Sequence, residues 1–101
     1  MRVKYRPAAI ADLQGTCAYL RDTLKNPKAA IQLQAEILRQ ISLLRSYPYQ
    51  GTPLGSKYEE TGTDLRYLVV RKQMVFYEVH GEIVEIIRIL DGRSDYLAKL
   101  F

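Results

Sequence analysis

The sequence predicts an α+β fold, a two-layer sandwich of order β-α-α-β-β-β in which a helical hairpin lies on a mainly antiparallel sheet. Three observations carry that expectation. Residues 65–96 hold three short runs of β-branched and aromatic residues separated by breaks of about two residues. Residues 8–46 hold two apolar stripes of helical period. A single alternating segment, MRVKYR, stands before the first stripe.

The 101 residues are enough for one hydrophobic core, so a single domain over residues 1–101 is expected. Hydrophobic residues make up 48% and charged residues 26%, the balance of a soluble globular chain. No apolar run approaches the roughly 18 residues of a membrane span. The start, MRVKYRPAAIADL, lacks the apolar core and cleavage site of a secretory signal, and the lone Cys17 has no partner for an internal disulfide. A cytoplasmic protein is expected. The net charge of +4 favours an acidic partner, nucleic acid or an acidic protein segment, without requiring one.

In chain order, Val3 and Tyr5 alternate with Arg2, Lys4 and Arg6 as in a strand with one solvated face, and Pro7 ends it. Ile10, Leu13, Cys17, Leu20 and Leu24 then recur at steps of three and four, placing a stripe on a helix over about residues 8–25. Cys17 lies inside that stripe and reads as a small buried apolar residue. Asn26-Pro27 suits the end of one helix and the start of the next, with Asn26 as N-cap and Pro27 at the first helical position. The second helix carries Ala30, Leu33, Ile37, Ile41 and Leu44, widened by Ile31 and Leu38, and runs to about Ser46.

Residues 49–64, YQGTPLGSKYEETGTD, read as one long loop. Loops of that length in small domains are often functional, which makes Lys57, Tyr58, Glu59 and Glu60 candidates by position. Strands follow over Leu65–Arg71, Met74–Val79 and Ile83–Leu90, with breaks at Lys72-Gln73 and His80-Gly81. The last strand is apolar on both alternating sets, apart from Glu85 and Arg88, so it belongs inside the sheet. Arg88 is then either a site residue on an open sheet face or the partner of Glu78 or Glu85. Asp91 to Asp95 form a polar turn. Tyr96 to Phe101 must dock or fray. One sheet face is left to the tail, the long loop or a partner.

Several residues together resemble the RelE/ParE superfamily, the toxins of bacterial type II toxin-antitoxin pairs. They are Ala11-Asp12-Leu13 with Tyr19-Leu20, Asn26-Pro27 with Ala29-Ala30, Leu44 with Tyr47-Pro48, Leu65-Arg66 with Leu68 and Val70, Val75-Phe76-Tyr77, and the run from Ile89 to Tyr96. The resemblance covers nearly the whole chain. It implies a growth-inhibiting toxin covered by a cognate antitoxin, with no metal and no cofactor.

Two targets compete within the superfamily. RelE-like members cut mRNA in the ribosomal A site, and ParE-like members bind DNA gyrase without nuclease activity. Cutting RNA with its own 2′-hydroxyl needs a proton acceptor, cations on the crowded phosphate and a donor to the leaving oxygen. The resemblance to RelE-like proteins places Arg66, Arg93 and Tyr96 where catalytic arginines and a tyrosine stand, and Lys57 in the loop that holds a basic residue; Arg93 also reads as a structural arginine pairing Asp91 or Asp95, and Tyr96 as a packing residue. Glu59 or Glu60 with Tyr96 echoes the glutamate and tyrosine of some of these nucleases. Arginine pairs with phosphate through two parallel hydrogen bonds, and tyrosine stacks on a base. His80, in a turn away from the sheet end where Arg66 and Arg93 are expected to gather, reads as an exposed turn residue. These residues put a metal-independent endoribonuclease, an mRNA interferase acting with ribosome and mRNA, first. A gyrase inhibitor is the alternative, favoured by the long second helix and the Asn26-Pro27 hairpin, and a toxin-like binding protein without activity is a third reading. Whether the chain dimerises is not legible.

Overall fold

In the computed structural model, which describes residues 1–57 and 64–101, the centre of the molecule is a pair of long strands, β4 (Gln73–His80) and β5 (Ile83–Asp91). Around them stand β1 (Arg2–Tyr5), α1 (Pro7–Ala18) and α2 (Pro27–Leu43). Two short elements, β2 (Thr52–Pro53) and α3 (Leu54–Lys57), lead to β3 (Arg66–Val70), and α4 (Tyr96–Leu100) closes the chain. The sheet order is β1-β5-β4-β3-β2. β1 runs parallel to β5, from Arg2 opposite Ile83 to Tyr5 opposite Ile86, and the remaining pairs are antiparallel. β5 is thus internal along its first half, as its apolar composition predicts.

β5 is apolar on both alternating sets for a second reason. Phe76 faces Arg88 but Tyr77 faces Ile86, so Ile87 has no residue opposite it and forms a bulge. The alternation reverses there. Val84, Ile86 and Ile89 join the core under the hairpin, whereas Ile87 and Leu90 join a second core on the opposite face. That second face is covered: Tyr96, Leu97 and Leu100 of α4 pack with Leu54, Phe76 and Met74. The tail docks because its apolar residues recur at helical spacing, and the open sheet face expected from the sequence is closed by the chain itself.

The helices depart from the sequence reading in detail. α1 buries Ala9 and Cys17, with Leu13 and Leu20 half-buried, while Ile10 is 44% and Leu24 53% exposed. The stripe holds at Leu13, Cys17 and Leu20, and at its start the small Ala9 is buried in place of Ile10. The helix does not stay α to residue 25. A π-helical turn over Tyr19–Thr23 follows α1, with the Leu24 N–H donating to the Tyr19 carbonyl at 3.0 Å, and Lys25 then takes a left-handed φ of 54°. Asn26 caps α2 as expected, its Oδ1 accepting the Ala29 N–H at 3.1 Å. α2 buries Ala30, Leu33, Ile37 and Ile41. Ile31 and Leu38 do not widen the buried stripe, being 70% and 39% exposed.

The two hairpin turns each sit one residue from their expected places. They fall at Arg71-Lys72 and Gly81-Glu82, where Arg71 has φ 56° and Gly81 φ 58°. The described part of residues 49–64 is not a plain loop either: Thr52 and Pro53 pair with Tyr67 and Arg66 as an edge strand, a place that tolerates proline. Among the described residues no helix is long and apolar enough to cross a membrane.

Two stability outcomes follow. Ile37 is fully buried, so Ile37→Ala should cost about 2–5 kcal/mol in urea melts, whereas Ile31→Ala on the solvent side should change stability by less than about 0.5 kcal/mol. Lys25→Gly, which removes a Cβ from a left-handed position, should raise the unfolding midpoint by the equivalent of up to ~1 kcal/mol.

Candidate functional site

The sheet brings the expected site residues to different places. Arg66 opens β3 opposite Tyr77, whereas Asp91, two residues before Arg93, ends β5 opposite Gln73. Tyr77 and Gln73 are four positions apart on β4, or about 13 Å along the strand. Arg66 and Arg93 therefore stand toward opposite ends of the sheet and do not gather. His80 lies toward the Arg66 end, not away from it.

Arg66 holds backbone. Its Nη1 donates to the Gly51 carbonyl at 2.9 Å and to the Tyr49 carbonyl at 3.3 Å, and the guanidinium carbon lies 5.1 Å from the Tyr49 ring centroid. Tyr77, fully buried, fastens the same segment by accepting the Gly51 N–H at 2.8 Å. Burial pushes the Tyr77 phenol up from its ordinary range, with the Gly51 hydrogen bond opposing. Glycine is needed at position 51, since a Cβ there would come 2.5 Å from Tyr77 Oη and 2.7 Å from Cε1.

Arg93 grips Asp91. Its Nε and Nη2 donate to the two carboxylate oxygens at 3.0 and 2.7 Å, and its N–H adds a third bond at 2.8 Å. That side-chain clasp first, and the backbone bond second, hold the Asp91 carboxyl at about 2. Tyr96 is 7% exposed and packs with its ring 5.4 Å from that of Phe76. Lys57 is the last residue of α3. Tyr58, Glu59 and Glu60 lie outside the described residues.

Arg88 has a partner that neither Glu78 nor Glu85 supplies. Its Nε and Nη2 donate to Asp12 of α1 at 2.7 and 2.8 Å, and the Ile89 N–H donates to the same carboxylate at 3.0 Å. The glutamates are engaged elsewhere: Glu78 and Glu85 each lie 3.3 Å from His80 Nε2, and Arg6 lies 3.3 Å from Glu85. The Arg6 hydrogen bond is the first cause of a lowered Glu85 carboxyl.

Sequence reasoning missed Asp12 and Gln73. Gln73 is 7% exposed, and its Oε1 is the one buried side-chain polar atom among the described residues that has no hydrogen-bond partner. It lies in a groove between the hairpin tip and the β3–β4 turn, beside Thr16, Tyr19, Arg71, Lys72 and Arg93. The signal for Gln73 was a polar residue next to an apolar strand, which reads equally as a turn.

Comparison with known proteins places these features in a family. The model of the ParE toxin of type II toxin-antitoxin systems (parDE) matches residues 3–96. A solved structure described as the chromosomal ParDE TA system from P. aeruginosa is 24% identical, covers 90% of this chain and 95% of its own, and superposes with a TM-score of 0.74, a likeness of fold. No curated protein matches.

Two outcomes test this geometry. Gly51→Ala drives a Cβ into a packed tyrosine and should destabilise the fold by about 1–3 kcal/mol in denaturant melts. Asp91 is depressed from 3.8 to about 2, so its contribution is full above the unfolded value and is lost as the pH falls from about 4 through 2. Arg93→Gln should return the carboxyl toward its ordinary range in an NMR titration and flatten that limb of the stability profile.

Proposed function

We propose that this chain, which belongs to the ParE toxin family of type II toxin-antitoxin systems, arrests growth by binding DNA gyrase rather than by cutting mRNA. As a type II toxin it has a cognate antitoxin as its protein partner. The observation that carries the target is the state of three of the four residues the nuclease reading names. Transition-state stabilisation requires cations aimed at one phosphate from one place. Here Arg66 is spent on the Gly51 and Tyr49 carbonyls, Arg93 is clasped by Asp91, and Tyr96 is packed against Phe76. Arg66 faces Tyr77 in the middle of β4, and Arg93 lies two residues beyond Asp91, which faces Gln73 at its start. That arrangement supports a fold whose polar side chains hold its own loops, and whose toxicity resides in a binding surface.

One purified sample in two assays tests the reading. Supercoiling by gyrase should be blocked while message on programmed ribosomes stays whole. Message cleavage with supercoiling untouched would overturn it and return Arg66, Arg93, Tyr96 and Lys57 to catalytic roles. Induction of the chain without its antitoxin should arrest growth, and sustained growth with folded protein present would count against the toxin acting alone.

A further inference from the structure

The solvent side of the helical hairpin carries an apolar seam that the fold itself does not use. Between the helices lies a cavity of about 260 Å³ walled by Ile10, Leu13 and Gln14 of α1 and by Gln34 and Leu38 of α2, with no charged residue in its lining. Ile31 stands three residues before Gln34 and seven before Leu38, so helical spacing sets it on the same side of α2. It is the most exposed aliphatic side chain among the described residues, and Ile10 and Leu38 are exposed as well. Solvent faces of helices are ordinarily polar and charged. In a chain that is 26% charged, α1 carries one charge, Asp12, and that one is turned to Arg88. The charges of α2 fall outside the seam: Glu36 pairs with Arg39, and Lys28 stands in the first turn.

We propose that this seam is the contact through which two copies of the chain associate about a two-fold axis, with Ile31 of each copy seated in the other's cavity. Knob and hole are on one surface. Ile31 and Leu38 are two turns apart, about 10.5 Å along α2, and an axis passing midway, beside Gln34, brings each isoleucine over the opposite cavity. A two-fold contact needs such a self-complementary patch. The residue at the axis is suited to meet itself, because a glutamine amide carries both donors and an acceptor. Net charge favours the same occupant. Copies of a chain of charge +4 repel one another, and they are least opposed where no charge stands. An acidic segment of an antitoxin finds no cation in the seam to pair with. The area is enough for a reversible contact: the hairpin is roughly 25 Å long and 20 Å wide. Two copies then bury on the order of 1,000 Å², the lower end of specific interfaces, where association is weak.

Sedimentation equilibrium of the purified full chain, from about 1 to about 500 µM, tests this. A monomer at the dilute end and a dimer at the concentrated end are expected. Added salt should strengthen the dimer, because it screens the repulsion between like-charged copies. Ile31→Glu should weaken dimerisation about tenfold or more, while the unfolding midpoint of dilute protein stays that of the wild type, since Ile31 is exposed in the single chain. Gln34→Glu and Gln34→Lys should each weaken it by a similar factor. An equimolar mixture of these two should associate more tightly than either alone, an outcome peculiar to a residue that meets its own copy. A chain that stays monomeric throughout overturns the proposal, as does a dimer that Ile31→Glu leaves intact, or a Gln34 mixture no tighter than its parts. If the wild type is monomeric and Ile31→Glu instead loses binding to antitoxin or to gyrase, the seam belongs to that partner and the proposal fails. No target is present in the sedimentation cell, so this outcome is separate from that of the supercoiling assay.

Discussion

The Asp12 carboxylate clasps the first helix to the open edge of β5, beside the apolar core that joins the two layers. β1 covers β5 only as far as Ile86, so the outer edge of β5 beyond that residue has no strand beside it. Exposed strand edges leave donors unpaired. Asp12 of α1 closes this one by accepting the Ile89 N–H while it receives the forked guanidinium of Arg88. One carboxylate thus substitutes for a missing strand and ties the first helix to the sheet. The Asp12 side chain is 13% and that of Arg88 26% exposed, so the pair is shielded from most of the solvent that weakens surface ion pairs.

The bulge at Ile87 and this clasp belong to one arrangement. Reversal of the alternation sends Ile86 and Ile89 to the hairpin and Ile87 and Leu90 to α4, so one strand feeds two cores. A chain of this size otherwise struggles to cover both faces of a five-stranded sheet. With both faces covered, the polar groups that remain are grouped at the strand ends. At one end Arg66 and Tyr77 bind the Gly51 segment, and at the other Asp91 and Arg93 flank the Gln73 groove.

Much of the fold was legible because it rests on local periodicity. The α2 stripe from Ala30 to Leu44 is buried as spaced, the Asn26-Pro27 start is capped as expected, and β3, β4 and β5 fall within a residue or two of their runs. Ala9 was missed because burial there depends on being small, not on being greasy. The hairpin turn moved because Arg71 takes a left-handed conformation that its residue type does not advertise. The site was less legible than the fold. Asp12 and Arg88 are 76 residues apart in sequence, and no spacing rule connects them. Arg66, Arg93 and Tyr96 carry the right chemistry for phosphate, but their roles depend on neighbours in space. Two backbone carbonyls, a carboxylate two residues away and a phenylalanine on β4 decide what each one does.

The claim that one carboxylate clasps the first helix to the edge of β5 is tested most directly by a double-mutant cycle on Asp12→Ala and Arg88→Ala, read by urea unfolding. The account predicts a favourable coupling energy of about 1–3 kcal/mol, with Asp12→Ala the costlier single change because it also strands the Ile89 N–H. A coupling energy near zero, or an Asp12→Ala variant as stable as the wild type, would contradict it.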